Sequence, residues 1–396
     1  MMMRVLSSVI CLLALFGLSA CHSLDTTPAN SPTSFKQYRY ATQQHIVQQR
    51  QFDGRFGERF ETEANSPQEW RPATASQPSR GILLVHGLGD SPFSFHDIGQ
   101  RLTAQGFLVR TVLLPGHGTK VEDLLTVRFA DWRQVVKQQT EQLQREVKEV
   151  YLGGFSTGAN LVVLEALQRD DTAGLLLLSP AFKSGNAYDW LTPWVAPFKP
   201  WLREPSPDRP QRNPVRYFNT PTNGFAQYYH SSRAVRHALS AQAYRRPVVM
   251  VVAEHDSVVD VEFLAQYFSQ YFPHSCSRLL WYGKAETASK WQAPHLYFQP
   301  DHLPEQRISQ FSHMSVMFSP QNWVYGRQGK VRLCHNGQTP SQQQQCEQGT
   351  EVWYSDWGYR EADKAHARLT FNPYFDWQMQ QVAQVFNNTT CSIPEK

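Results

Sequence analysis

From Gly81 onward, short unbroken apolar runs alternate with stretches whose apolar residues recur at helical spacing. Gly81-Ile-Leu-Leu-Val85 is apolar throughout, as expected for a strand buried on both faces. Phe107–Leu114, Val150–Leu152, Leu175–Leu178, Pro247–Ala253 and Ser277–Tyr282 read as further strands. Pro247 stands at a strand's first position, where its missing N–H is tolerated. Between them, Ile98–Gln105 predicts a short helix. Phe129–Val147 predicts a longer one, with Phe129, Trp132, Val135, Val136, Leu143 and Val147 at largely helical spacing, and Ala159–Leu167 predicts a third. Strands alternating with helices predict an α/β fold, a mostly parallel central sheet with helices on both faces.

Three regions depart from this rhythm. Residues about 182–246 are rich in Pro and aromatics, among them Trp190, Trp194, Trp201, Tyr217 and Phe225, and read as a cap inserted over the sheet. Residues 283–307 read as irregular. Residues 327–396 read as a C-terminal extension packed on the main domain, with Phe371–Phe386 as a closing helix. At the other end, Arg4 precedes a largely apolar Val5–Leu18 that is too short for a comfortable membrane span. It ends in Leu18-Ser19-Ala20-Cys21, which resembles a bacterial lipobox, so residues 1–20 read as a lipoprotein signal peptide and Cys21 as the lipidated residue. Residues 21–50 are polar and read as a tether, and residues 51–326 as the main domain. The expected location is outside the cytoplasm, lipid-anchored to a bacterial membrane. In a Gram-negative host, His22 after the cysteine, rather than Asp, points to the outer membrane.

Composition adds little direction of its own. The 396 residues carry 38 basic and 34 acidic side chains with no long single-sign run, so no nucleic-acid partner is expected. The 13% aromatic content suits an apolar pocket as well as a core. Cys276, Cys334, Cys346 and Cys391 remain after export, an even number in an oxidising compartment. Of the three pairings, Cys334–Cys346 with Cys276–Cys391 is preferred, because the first closes a short Gln-rich loop worth roughly 3 kcal/mol. No Cys-x-x-Cys pair suggests a metal.

The candidate chemistry begins at Gly154-Phe155-Ser156-Thr157-Gly158, at the junction of a predicted strand and helix. In that setting the serine occupies a sharp turn and exposes its hydroxyl above the sheet, with the helix N-terminus behind it. His86-Gly87-Leu88-Gly89 follows the first strand, and the backbone N–H groups of Leu88 and Thr157 are the candidate donors to an oxyanion. His86 reads as structural. Asp256 is the first candidate for the acid after the Pro247–Ala253 strand; Asp260 is the second, with a helix N-cap as its competing role. His313 is the candidate base, with His295 and His302 as competitors. The order Ser156, Asp256, His313 is that of α/β-hydrolases.

Several of these pieces together resemble the monoacylglycerol lipase, lysophospholipase and carboxylesterase branch of the α/β-hydrolase superfamily. They are Leu84-Val85-His86-Gly87-Leu88, Leu114-Pro115-Gly116-His117-Gly118, the Ser156 pentapeptide, Asp256-Ser257-Val258-Val259, and His313 followed by Ser319-Pro320. The resemblance spans about residues 80–326. It implies hydrolysis of carboxylic esters through an acyl-serine, an α/β-hydrolase fold with a cap, and no metal or other cofactor. It further implies that Pro115-Gly116-His117-Gly118 shapes a loop near the acyl pocket. The expected partners are a small-molecule ester with an apolar acyl group and, through the lipid anchor, a membrane. Two alternatives stand beside this reading: an amidase, peptidase or thioesterase of the same fold, because one triad serves all of these bonds, and a non-catalytic surface lipoprotein.

Overall fold

The computed structural model describes residues 34–387 apart from 53, 55, 74–76, 207–211 and 292–294. The expected signal peptide, Cys21, the first part of the tether and Cys391 lie outside the described residues. The central sheet has eight strands: β1 Glu69–Trp70, β2 Arg80–Val85, β3 Phe107–Val112, β4 Glu149–Phe155, β5 Thr172–Leu178, β6 Val248–Ala253, β7 Arg278–Tyr282 and β8 Leu296–Gln299. Their order is β1-β3-β2-β4-β5-β6-β7-β8. β1 runs antiparallel to β3, and the other neighbours pair parallel.

Alternation along each strand explains why the runs are apolar throughout. Leu83 and Val85 face one apolar layer and Ile82 and Leu84 the other; Val248, Met250 and Val252 oppose Val249, Val251 and Ala253 in the same way. The first layer is covered by Phe129–Gln144, Thr157–Ala166, Thr222–Ala241 and Val261–Tyr271, through residues such as Trp132, Leu161, Val235 and Phe268. His96–Ala104 and Phe375–Asn387 cover the second, through Ile98, Leu102, Met379, Val382 and Phe386. The C-terminal helix thus completes one whole face of the sheet. Before it, the extension folds as the helix Pro340–Glu347 beside a parallel pair, Trp353–Ser355 with His366–Arg368. A Cys334–Cys346 disulfide joins the start of this unit to its helix. Cys276 is also disulfide-bonded.

Two expectations are corrected and a third holds only in part. Residues 35–49, expected as polar tether, form a helix capped by the Ser34 side chain. Its two buried apolar residues, Phe35 and Ile46, are eleven positions apart, three full turns, and so share a face that composition alone conceals. The region 283–307, expected as irregular, holds the short helix Ala285–Lys290 and the edge strand β8. In the cap, Phe218 and Phe225 line the cavity, whereas Trp190 and Trp194 point outward, at 50 and 74% exposure.

The order reversal at β3-β2-β4 places the site. β2 and β4 are neighbours in register, with Val85 beside Gly154. The loops that leave their C-terminal ends, His86–Gly89 and the turn at Ser156, therefore emerge side by side, at the kind of switch point where α/β sheets bind ligands.

Candidate active site

Ser156 links β4 to the helix Thr157–Ala166 and holds φ 55°, ψ −119°, a strained conformation for a residue with a side chain. The neighbouring glycines make that turn possible. A Cβ on Gly158 would stand 2.0 Å from the Val85 carbonyl oxygen and 2.6 Å from that of His86; one on Gly154 would stand 2.4 Å from the Ala159 nitrogen. All three are backbone atoms that cannot step aside, so the helix and both strands close on one another only with glycine at these two positions. Thr157 is the first residue of its helix, so its N–H has no intrahelical acceptor. Among the described residues, the Leu88 amide has no backbone acceptor either.

Two buried imidazoles hold the loop that carries Leu88. The Leu114 N–H donates to His86 Nε2 at 3.0 Å, and His86 Nδ1 donates to the Gly87 carbonyl at 2.8 Å. The Gly89 N–H donates to His117 Nε2 at 3.0 Å, while His117 Nδ1 faces the Leu114 and Pro115 carbonyls. The rings lie 4.9 Å apart. Each ring accepts at Nε2 and so is neutral. Burial pushes the His86 imidazole down to about 4. Burial, and then the closeness of His86, push His117 to about 3. Both are braces, as expected for His86.

His313 Nδ1 lies 2.6 Å from Asp256 Oδ2, with both side chains buried. The other oxygen of Asp256 accepts from the Val258 and Val259 amides at 2.8 and 3.2 Å. Those bonds fix the carboxylate and leave Oδ2 to the imidazole. The Ser179 hydroxyl donates to the His313 carbonyl at 3.3 Å, and the Phe155 ring lies 4.9 Å from the His313 ring, beside the elbow. Among the described residues the Ser156 hydroxyl makes no hydrogen bond to His313; such bonds are often long until substrate arrives.

The competing residues are used elsewhere. Asp260 caps the helix Val261–Tyr271 by accepting from the Phe263 N–H and pairs with Lys183 at 2.7 Å. His302 Nδ1 faces the Ser309 carbonyl, and the backbone carbonyl of His295 takes the Leu279 N–H beside β8. Sequence reasoning missed a second histidine–carboxylate pair, His255 with Asp301 at 2.5 Å, which raises the histidine's pKa through that bond. It also missed Asp356, whose carboxylate accepts from the Ser257 N–H next to Asp256. Neither had a signal, because no motif or chain-order rule links these residues across their 46 and 99 positions, as the elbow and chain order did for Asp256 and His313.

A cavity of about 820 Å³ opens against this site. Of the three candidate catalytic residues, His313 is in its wall. Phe218, Phe225, Val258, Met314, Leu333 and Trp357 supply apolar surface. The same wall also holds several arginines from the cap and the C-terminal extension.

The profile of the family described as serine aminopeptidase, S33, matches residues 76–284, more than half of the chain. The chain belongs to that family. Its fold is the α/β-hydrolase fold, with the largely parallel eight-stranded sheet described above. A thermostable monoacylglycerol lipase from Bacillus sp. (strain H-257) is 29% identical over 110 residues, which is 28% of this chain and 44% of that enzyme's length. Among solved structures, a metagenome-derived lipolytic enzyme is 19% identical with a TM-score of 0.48, covering 56% of this chain and 88% of its own. A soluble variant of monoglyceride lipase from Saccharomyces cerevisiae is 13% identical with a TM-score of 0.45, covering 55% and 82%. The family match ends at residue 284, so His313 and the whole C-terminal extension lie beyond it.

Proposed function

We propose that this protein is a serine hydrolase of carboxylic esters, exported and held at a membrane by lipid on Cys21. The observation that carries the catalytic part is the buried His313–Asp256 pair at 2.6 Å, set beside a serine in a strained strand-to-helix elbow. His313 Nε2 takes the Ser156 proton as the hydroxyl oxygen attacks the ester carbonyl. The Leu88 and Thr157 amides hold the resulting oxyanion, a role in which losing one donor typically costs about 100- to 1,000-fold. The proton passes to the departing alkoxide, leaving acyl-Ser156. Water then attacks under the same base and releases the acid. Asp256 keeps Nδ1 protonated throughout and stabilises the imidazolium.

The family is named for a peptidase, but the cavity favours esters. A free peptide N-terminus is cationic and needs a carboxylate anchor, whereas cationic side chains outnumber the carboxylates, Glu347 and Asp356, in the cavity wall that holds His313. The similarity to a monoacylglycerol lipase supports the same choice. The test is Ser156→Ala with hydrolysis of short-chain 4-nitrophenyl esters and labelling by a fluorophosphonate. Both should vanish, and turnover retained by the variant would refute the reading.

A further inference from the structure

Six cationic side chains line the cavity that opens on His313: Arg203, Arg212 and Arg216 from the cap, and Lys330, Arg332 and Arg368 from the C-terminal extension. Glu347 and Asp356 are the acidic residues in the same wall. No run of basic residues announces this in the sequence, because the six come from four separate segments. Several have settled partners. Arg212 donates to the Thr119 and Gln51 carbonyls, Arg332 to the Thr350 carbonyl, and Lys330 lies over the Trp323 ring.

Arg216 and Arg368 are different. Arg216 Nη1 is buried without a hydrogen-bond partner among the described residues, its nearest carboxylate, Asp90 Oδ2, standing 3.6 Å away. Asp90 is in turn engaged by the Ser91 N–H through its other oxygen. Arg368 uses Nε for Asn336 Oδ1 at 3.2 Å. Burial pushes its guanidinium down to about 10; nearby Asp356 opposes that shift and Arg216 adds to it. The two guanidiniums are thus close enough to repel each other through a partly desolvated cavity. Two like charges held there are relieved by an anion between them, and the guanidinium fork matches phosphate and carboxylate oxygens.

We infer that Arg216 and Arg368 form an oxyanion-binding subsite, and that the preferred substrate is an ester whose non-reacting end carries a phosphate or carboxylate group. This rests on the esterase reading above and deepens it. The cap supplies one arginine and the extension the other, so the extension is part of the binding site. The apolar residues of the same wall take the acyl chain, and the charged group lies toward the extension.

The test compares matched esters that stay monomeric in solution. One arm uses a short-chain monoacylglycerol against the same compound bearing a 3-phosphate. The second uses a 4-nitrophenyl ester with a terminal carboxylate against its methyl ester. The wild-type protein should favour the anionic member of at least one pair by tenfold or more in kcat/KM, mainly through KM, and the favoured arm identifies the anion. Arg216→Gln and Arg368→Gln should each lower that ratio about tenfold; Arg216→Gln decides the matter if loss of Arg368 prevents folding. Hydrolysis of neutral esters with ratios at or below one, or ratios unmoved in a folded variant, overturns the subsite and leaves the esterase reading standing. If no ester is cleaved, the esterase reading fails by itself. Calorimetry with inorganic phosphate then decides the subsite without turnover, with binding weakened about tenfold by Arg216→Gln expected and absence of binding to the wild type overturning it.

Discussion

Asp256→Asn isolates the part of the site that depends on one proton. In the wild type, Oδ1 accepts two backbone amides and Oδ2 faces His313 Nδ1 at 2.6 Å. An asparagine placed the same way gives its carbonyl oxygen to the Val258 and Val259 amides, because its NH₂ cannot accept from them. That turns the NH₂ toward Nδ1, which must then accept. The ring proton moves to Nε2, and the imidazole can no longer take the proton of Ser156. Losing a charge-assisted hydrogen bond costs about 1.5–3 kcal/mol, and a buried donor or acceptor left mismatched about 1–3 more. Together these predict a fall in kcat between about 70- and 25,000-fold, at 1.36 kcal/mol per tenfold. KM should stay within a few fold, since the carboxylate is buried behind the imidazole. The assay is steady-state hydrolysis of 4-nitrophenyl butyrate, with the thermal midpoint checked alongside. Asp260→Asn is the contrast: its carbonyl oxygen still accepts the capping Phe263 N–H, so it loses only the partly exposed Lys183 ion pair, about 0–1 kcal/mol of stability, and keeps its turnover. A loss of less than tenfold in Asp256→Asn, or a comparable loss of activity in Asp260→Asn, would refute the assignment of the acid.

Further outcomes follow from the braces and clamps around the site. His86 and His117 are held neutral, with folded pKa values of about 4 and 3, below the ordinary histidine value near 6.5. The unfolded chain therefore binds protons first, and stability present above about pH 6.5 is lost as pH falls toward 4, by about 1.4 kcal/mol per pH unit for each histidine. Urea unfolding of His117→Gln should show a shallower acid limb than the wild type, and equal slopes would count against the neutral brace. Arg50 is buried with Glu61 at 2.8 Å and also donates to the Gly118 and Pro214 carbonyls, tying the N-terminal helix to the loop after β3 and to the cap. Glu61→Ala should cost about 3–5 kcal/mol in urea unfolding, because it strands a buried cation, and a cost under 1 kcal/mol would contradict that. Removing the Cys334–Cys346 link, which spans 12 positions, should cost the extension about 3 kcal/mol in thermal unfolding; an unchanged midpoint would show that the link is dispensable.

What could be read from the sequence, and what could not, divides along the range of the interactions. The elbow was legible because Gly154 and Gly158 flank the serine within one strand-to-helix junction, and the steric need for both is local. The strands were legible because burial on both faces makes them apolar throughout. The helix Phe35–Gln49 was not, since two apolar residues three turns apart leave its composition that of a linker. The aromatic cap was legible only in part: an aromatic count does not say which way a ring points, and Phe218 and Phe225 line the cavity while Trp194 and Phe198 point to solvent. The charge of the cavity was least legible of all, because Arg216 and Arg368 meet only through the tertiary fold. That meeting changes the role of the tail. Its helix Phe375–Asn387 seals one face of the sheet, so it cannot be removed without exposing Met379, Val382 and Phe386 and the strands beneath them. The same chain segment, a few residues earlier, delivers Arg368 to a cavity opening on His313. A substitution at Arg368 can therefore separate what a truncation would confound: the contribution of the extension to stability and its contribution to which ester is held.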